Sequence, residues 1–199
     1  MTTLQAKKWL RKHLIRRRQS LSSRERILKS RLIAKNLFKR PEFKRARVVA
    51  AFLSFGSEVL TEGIINECWR RGKTVVIPMT PLGFHQPFFA VFHPGESLRK
   101  TSRGPWELQD MKEPFPWKSI DLVLTPGLGF DEEGFRLGFG GGVYDRVLSK
   151  TLHASHVGLF YECQKILRLP RERHDKPLDE IISESLFHYH DFPGYFHTI

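Results

Sequence analysis

The segment Thr125–Arg146 reads TPGLGFDEEGFRLGFGGGVYDR and is the most informative part of the chain. It follows a short apolar run, Leu122–Leu124, which is typical of a buried strand. Seven glycines fall within the segment, a density that indicates left-handed backbone or close approach to a ligand. After Gly142, apolar residues at helical spacing predict a helix. The segment therefore predicts a strand, a glycine-rich turn and a helix start whose free amides can bind phosphate.

Two charged residues beside the glycines point to nucleotide chemistry. Arg136 offers a planar guanidinium that can bind two phosphate oxygens at once. Asp145, in the first helical turn, suits Mg²⁺, which is commonly held by one or two carboxylates together with nucleotide phosphates. Neither standard phosphate motif fits, because Val143 stands where a dinucleotide motif needs glycine and a Walker loop needs lysine. A long flexible loop is the alternative interpretation, but it leaves the flanking charges unexplained.

The same segment resembles a known family signature. The runs PGLGFD at 126–131 and RLGFGGGVYD at 136–145 are similar to the signature of 5-formyltetrahydrofolate cyclo-ligases, also called 5,10-methenyltetrahydrofolate synthetases. The family pattern has two consecutive tyrosines before the aspartate, whereas the first of them is Val143 here. Because Tyr144 and Asp145 remain, we expect altered packing on the folate side and retained chemistry.

The resemblance implies a ligase that converts 5-formyltetrahydrofolate to 5,10-methenyltetrahydrofolate with ATP and Mg²⁺, releasing ADP and phosphate. It implies phosphorylation of the formyl oxygen, a folate substrate with or without a polyglutamate tail, and a cytoplasmic location. The residues that it assigns to catalysis are Arg136 and Tyr144. Those assigned to ATP are Lys7, Arg11, Arg136, Gly138, Gly140, Gly141, Gly142 and Tyr144. Those assigned to the folate are Leu53, Glu58, Trp106, Phe139 and Val143, and those assigned to the metal are Asp145 and Asp179.

The N-terminal region extends the resemblance through the pattern Ala6-Lys7-x-x-Leu10-Arg11. It lies in a helix predicted over residues 4–19, where Lys7 and Arg11 are neighbours on the surface because they are four residues apart. The resemblance places both on the ATP phosphates, with Lys8 as the alternative register. Taken alone, such a pair is usually solvated. A capping box at Ser22 predicts a second helix that extends to about residue 39.

Charge is unevenly distributed along the chain, whose formal net charge is +12. Residues 1–47 contain 17 Lys and Arg against two acids, whereas the remainder carries a net charge of −3. Such an arm binds nucleic acid through phosphates or forms a solvated helical face beside a nucleotide. Apolar residues at helical spacing favour the second interpretation, so nucleic-acid binding is disfavoured.

The cysteines and the hydropathy exclude other classes of protein. Cys68 and Cys163 match no metal or redox spacing, and a reduced cytoplasmic setting is expected. No apolar run approaches the roughly 20 residues of a membrane span. The basic start lacks the apolar run of a signal peptide.

Alternating strands and helices predict the fold class. Apolar runs at 48–54 and 74–78 flank a helix predicted over 61–71, which is typical of a βαβ unit with parallel strands. Further strands are predicted at 88–92, 155–161 and after Asp179. We therefore expect a single α/β domain over residues 1–199: a three-layer sandwich with a mostly parallel central sheet. A basic N-terminal helical pair, residues 1–40, packs on it, and the protein is expected to be a monomer.

Several residues retain alternative interpretations. Glu58 follows a strand at the edge where ligands gather in such sheets, but an acid there also stabilises a helix dipole. Trp106 fits either a folate site or core packing. His153, His156, His188 and His190 could suggest zinc, but no third ligand is suitably spaced, so surface histidines are expected. A sugar-phosphate isomerase using the same glycine turn is a further possibility.

Overall fold

The computed structural model describes residues 2–80, 86–101, 105–173 and 175–185. Its helices are α1 Thr3–Gln19, α2 Ser23–Lys39, α3 Pro41–Arg45, α4 Glu62–Arg70 and α5 Val143–Lys150. Its first five strands are β1 Val48–Ala50, β2 Thr74–Met79, β3 Phe88–Val91, β4 Leu98–Lys100 and β5 Trp106–Leu108. The others are β6 Leu122–Thr125, β7 Gly129–Phe130, β8 Arg136–Leu137, β9 Ser155–Leu159 and β10 Glu180–Ile182.

Six strands form the central sheet, in the order β10-β9-β6-β1-β2-β3. All neighbours are parallel except β2 and β3, which pair antiparallel. β1, α4 and β2 form the predicted βαβ unit, with Val49 opposite Val75. The parallel strands end at one edge of the sheet, and the turns that follow them meet there.

Both faces of the sheet are covered, as expected for buried parallel strands. Val49 and Val75 face a cluster formed with Ile33 of α2 and residues of α3 and α4. The adjacent Ala50 and Val76 face the opposite side, where Val147 of α5 packs. Successive side chains of each strand therefore point into two different cores, one on each face of the sheet. This arrangement confirms the predicted three-layer α/β sandwich.

Local differences from the sequence expectations lie in strand length and in two small hairpins. β1 ends at Ala50, although the apolar run continues to Leu53. Ala51 still donates to the Val76 carbonyl at 2.9 Å, and residues 51–53 pack in the same core as α4. The segment after β6 is not a simple turn, since β7 and β8 pair as a hairpin before the glycines.

Asp131 organises this hairpin from inside. Its side chain is fully buried and accepts backbone N–H bonds from Glu133, Phe135 and Leu169 at 3.0 to 3.1 Å. The Arg171 guanidinium lies 3.0 Å from the same carboxylate. A buried carboxylate must be paired and hydrogen-bonded to be tolerated, so Asp131 joins the hairpin to the C-terminal segment.

We predict that Asp131→Ala lowers the free energy of unfolding by about 3 kcal/mol, because it removes the acceptor of one guanidinium and of three backbone amides, of which that of Leu169 is buried. Glu133→Ala is the matched control: its side chain is 56% exposed although it also pairs with Arg171, and an exposed pair contributes less than about 1 kcal/mol. Urea unfolding followed by circular dichroism measures both. Equal losses in the two variants would contradict the role assigned to Asp131.

Within the part of the chain that the structure describes, no helix combines the length and the apolar character needed to cross a membrane.

Candidate functional site

The glycine-rich turn connects β8 to α5 at the carboxyl edge of the sheet. Gly142, at φ 63°, is the N-cap of α5, and no side chain caps the helix. Gly140 has φ +101°, a conformation that residues with a side chain rarely adopt. The first amides of α5 are therefore left for a ligand, and the positive end of the helix dipole favours an anion.

Arg136 enters this turn from β8, and its side chain is only 5% exposed. One terminal nitrogen lies 2.7 Å from Asp145 Oδ1, and the guanidinium lies 5.8 Å from the centre of the Tyr144 ring. Burial lowers the pKa of Arg136, and the charge of Asp145 opposes this shift. An arginine remains charged under such conditions. The result is a desolvated cation directed at the turn.

Three polar atoms around the turn are buried and have no hydrogen-bond partner among the described residues: Arg136 Nε, the Tyr144 hydroxyl and Thr125 Oγ1. Thr125 is the last residue of β6, the strand that leads into the hairpin. Burial raises the pKa of Tyr144, and the charge of Glu58 adds to the shift, so the hydroxyl keeps its proton. Buried polar atoms are normally paired, which indicates that a polar ligand completes this region.

Two cations reach the turn from α1. Arg11 Nε donates to the Gly138 carbonyl at 2.9 Å, and its guanidinium lies beneath Gly140, where an added side chain would meet it at 3.4 Å. Lys7 is buried one helical turn earlier, whereas Lys8 is exposed. The helix therefore presents Lys7 and Arg11, and not Lys8, on the face that contains the glycine turn.

Lys7 is held by two acids of the C-terminal segment. Its Nζ lies 2.6 Å from Asp175 and 2.7 Å from Glu172. Burial acts to lower the pKa of Lys7, but the hydrogen bonds to Asp175 and Glu172 outweigh burial and raise it. The charge of Asp175 also acts on Arg136. Asp175 is thus a site carboxylate that the sequence interpretation missed.

Asp179, assigned to the metal from sequence, lies elsewhere. Its carboxylate accepts from the His156 amide at 2.7 Å, and it immediately precedes β10, at the amino edge of the sheet. α5 begins at the glycine turn and runs back towards the amino edge. Asp145, in the first turn of α5, therefore lies at the carboxyl edge, and Asp179 lies at the opposite edge. Asp179 therefore lies away from the glycine turn, whereas the charge of Asp175, four residues earlier, acts on Arg136; the metal role of Asp179 stays a prediction.

Glu58 lies in the connection between β1 and α4, and its side chain is buried. It accepts a bond from the Phe55 amide at 2.9 Å, and Tyr161 donates to its backbone carbonyl. Burial raises the pKa of Glu58, and the Phe55 bond and the charge of Arg18 oppose the shift. The influence of Glu58 on Tyr144 shows that this connection approaches the glycine turn.

An apolar groove of about 460 Å³ is lined in part by Ser54 and Leu60, which belong to the same connection as Glu58. Leu53 and Trp106, both assigned to the folate from sequence, line it together with Leu60 and Trp69. Trp106 is 41% exposed, so it belongs to the groove wall more than to the core. Lys100 Nζ lies 6.0 Å from the Trp106 ring, which supplies a cation at the rim.

A second cavity, of about 520 Å³, lies beside α1 on the side of Lys7. Ala6, Trp9 and Leu10 form one wall, and Leu169 and Pro170 form the other. The cavity is therefore mostly apolar, and Arg168 and Arg171 also line it.

Further residues assigned from sequence flank the turn. Phe139 is 50% exposed, with the Arg18 guanidinium 5.5 Å from its ring centre. Val143 is the first residue of α5 and is half-buried. The Gly141 carbonyl accepts from Arg146 at 3.0 Å. The structure thus brings all the assigned residues except Asp179 to the carboxyl edge or to the grooves that border it.

In the described ranges, no group of three or more His, Cys, Asp or Glu could hold a metal ion. His156 is buried and bonded to Thr151, while His153 is exposed. His188 and His190 lie outside the described residues. Any metal at the glycine turn therefore needs ligand oxygens besides those of Asp145 and Asp175.

Comparisons with known proteins agree with this geometry. Residues 3–184 match the model of the 5-formyltetrahydrofolate cyclo-ligase family. Proteins of that name from Escherichia coli and mouse are 34% and 28% identical to the chain; the matches cover 85% and 92% of it, and 95% and 96% of the relatives.

Solved structures show the same relationship. The solution structure of a 5,10-methenyltetrahydrofolate synthetase from Aquifex aeolicus superposes with a TM-score of 0.82 at 31% identity, over 96% of each chain. A synthetase from Mycoplasma pneumoniae shares the fold, with a TM-score of 0.72 at 24% identity over 89% of this chain and 98% of that one. Sequence, fold and site thus agree: this chain belongs to the 5-formyltetrahydrofolate cyclo-ligase family.

Proposed function

We propose that the protein catalyses the ATP-dependent cyclisation of 5-formyltetrahydrofolate to 5,10-methenyltetrahydrofolate, releasing ADP and phosphate. The observation that carries the proposal is the desolvated, partly unpaired Arg136 at an uncapped helix start. A site of this kind suits transfer of a phosphoryl group, where positioning and charge stabilisation dominate. The family membership supplies the substrate class.

The ATP phosphates are proposed to bind over the glycine turn. Gly140, Gly141 and Gly142 leave the backbone accessible there, and Arg11 and Lys7 supply charge from α1. The cavity between Trp9 and Pro170 is lined by Ala6 and Leu10 of the same helix, and its apolar walls suit a purine ring. The triphosphate would then extend from this cavity towards Arg136.

Mg²⁺ is proposed to be held by Asp145 and Asp175 together with phosphate oxygens. The donor set fits, because Mg²⁺ prefers hard oxygen ligands and is satisfied with one or two carboxylates. Both carboxylates now pair with cations, Asp145 with Arg136 and Asp175 with Lys7. When ATP binds together with Mg²⁺, the two carboxylates would pair with the metal, and Arg136 and Lys7 would pair with the phosphates. No charge would then be left unpaired. The ion would supply neutralisation of the phosphate charge.

The reduced folate is proposed to occupy the groove lined by Leu53 and Trp106 and to reach Glu58, which belongs to the same connection as Leu53. A pterin ring presents adjacent N–H donors that match a carboxylate acceptor, and its plane suits stacking on an aromatic wall. Phe139 and Val143 are partly exposed at the glycine turn and are proposed to contact the folate from that side. Lys100 at the rim suits the negative charge of a glutamate tail.

The chemistry follows from the weakness of a formamide as an electrophile. The formyl oxygen attacks the terminal phosphorus, and the bond to ADP breaks. The phosphorylated oxygen is then a good leaving group. The neighbouring folate nitrogen attacks the formyl carbon, loses its proton and closes the five-membered ring, while phosphate departs. Arg136 and the turn amides stabilise the charge that develops on phosphate, and no protein nucleophile is required.

The decisive experiment is an ultraviolet assay of methenyl-folate formation with purified protein, with and without ATP. Product that depends on both ATP and Mg²⁺ would support the proposal. Absence of product with both present would overturn it, and a thermal-shift response to sugar phosphates in place of ATP would then favour an isomerase. The free thiols of Cys68 and Cys163 support the cytoplasmic setting proposed with this activity.

We predict a pH dependence from Glu58. Its pKa is raised by burial, so the carboxyl is protonated at pH values where an ordinary glutamate, with a pKa of about 4.3, is ionised. Only the carboxylate accepts two pterin N–H bonds, so kcat/KM for the folate should fall on the acid side at a pH above that value. Glu58→Gln should remove this acid limb and lower kcat/KM by about 10-fold. A limb that persists in Glu58→Gln would belong to another group.

A further inference from the structure

Arg18, near the C-terminal end of α1, is a buried cation that the roles assigned above do not use. It is 3% exposed. Its Nε donates to Ser57 Oγ at 2.9 Å, and one terminal nitrogen donates to the Gly127 carbonyl at 3.1 Å. Ser57 belongs to the connection between β1 and α4, and Gly127 follows β6. One guanidinium therefore joins the loops that follow two neighbouring strands.

These two loops carry the two halves of the proposed site. Ser57 belongs to the same connection as Leu53, Ser54 and Leu60, which line the proposed folate groove. Gly127 begins the hairpin that ends in the glycine turn, and its carbonyl also accepts from Gln164 at 2.8 Å. The Phe139 ring, within the turn itself, lies 5.5 Å from the Arg18 guanidinium. Arg18 thus contacts both the folate side and the phosphate side.

The position of Arg18 on α1 also distinguishes it from packing residues. Lys7, Arg11, Leu14 and Arg18 recur at helical spacing and share the inner face of the helix. Leu14 shows that an apolar side chain fits this face, since it is fully buried in a leucine cluster. A buried cation is costly, and burial lowers the pKa of Arg18. An apolar residue at position 18 would therefore be expected to give a more stable protein than the buried arginine does.

We propose that Arg18 is a positioning residue that fixes the distance between the folate groove and the phosphate-binding turn. The inference rests on the proposed function, because it concerns how the formyl oxygen meets the terminal phosphorus. Arg18 is not placed in contact with either substrate. Its planar fork holds Ser57 and Gly127 at a set separation, which a single point charge or an apolar side chain cannot do.

The test compares Arg18→Met, Arg18→Lys, Ser57→Ala and the double variant Arg18→Met/Ser57→Ala. Each loop retains its own substrate contacts, so the KM values for ATP and for the folate should change by less than about 3-fold. The kcat of Arg18→Met should fall by about 30-fold, since misplacement of reacting groups by about 1 Å can cost 100-fold. Arg18→Lys should lie between Arg18→Met and the wild type.

The double variant tests whether Ser57 acts through Arg18. Ser57→Ala alone should lower kcat by about 5-fold and should have no further effect in the Arg18→Met background, because non-additivity marks a shared interaction. Arg16→Met, an exposed arginine of the same helix, should leave kcat unchanged. Leu37→Ala, a core truncation in α2, controls for lost stability and should keep kcat despite its lower thermal midpoint.

Amide hydrogen exchange gives a readout that does not depend on activity. In Arg18→Met, exchange should accelerate in residues 54–58 and 126–130 together. Wild-type kcat in Arg18→Met, equal Ser57→Ala effects in both backgrounds, or unchanged exchange in both segments would each overturn the inference. A wild-type protein without ATP-dependent product formation would overturn the proposed function, and the exchange result alone would then decide whether Arg18 joins the two loops.

Discussion

Arg136→Ala is expected to lower kcat/KM for ATP by about 1,000-fold in the methenyl-folate assay. Removing one preorganised donor from an anion-stabilising site typically costs 100- to 1,000-fold, and Arg136 is a desolvated cation whose Nε has no partner among the residues that the structure describes. Its side chain is 5% exposed, so solvent does not replace the lost charge efficiently. The loss should appear mainly in kcat, because the charge matters most when the phosphoryl group is transferred.

The conservative change separates charge from geometry at this position. Arg136→Lys keeps one positive charge but loses the planar fork, so it should recover no more than about 10-fold of the lost activity. Arg70→Ala removes an exposed arginine from α4, where it pairs only within its own helix turn among the contacts described, and should behave as wild type. Circular dichroism should show an intact fold in all three. Wild-type turnover in Arg136→Ala would remove Arg136 from the site.

Most of the fold could be predicted from the sequence, because the relevant signals are local. The capping box at Ser22 predicts α2 with its first residue, and the apolar runs of β1 and β2 and the glycine density before α5 each predict that an element is present. The right-handed crossover rule then arranges the parallel strands. The antiparallel β3 is also visible as an apolar run, but its direction is decided by pairing with β2, which a single strand does not encode.

The candidate site was predicted less completely, since long-range pairs decide it. Asp145 and Arg136 are nine residues apart, and their contact follows from the turn between them. Lys7 and Asp175 are separated by almost the whole chain, and nothing local distinguishes Asp175 from Asp179 four residues later. Arg18 was hidden for the opposite reason: it stands in a run of three arginines, and only the folded helix shows which one points inward.

Asp145→Asn is expected to raise the Mg²⁺ concentration required for half-maximal activity by about 30-fold and to lower kcat by about 100-fold. Asparagine keeps one oxygen ligand but removes the charge that a hard divalent cation prefers. It also weakens the partner of Arg136, whose terminal nitrogen lies 2.7 Å from Asp145. Part of the lost activity should therefore return at high Mg²⁺, whereas activity lost through Arg136 should not.

Two carboxylates of the C-terminal segment, Asp175 and Asp179, test whether the Mg²⁺ requirement depends on the position of the carboxylate. Asp175→Asn should also raise the Mg²⁺ requirement, because Asp175 pairs with Lys7 and its charge acts on Arg136. Asp179→Asn should leave the requirement unchanged, since Asp179 holds the His156 amide at the other edge of the sheet and asparagine preserves an acceptor there. Titration of activity with Mg²⁺ at saturating ATP measures all three. A shift in Asp179→Asn without one in Asp175→Asn would restore the sequence-based register and displace Asp175 from the metal site.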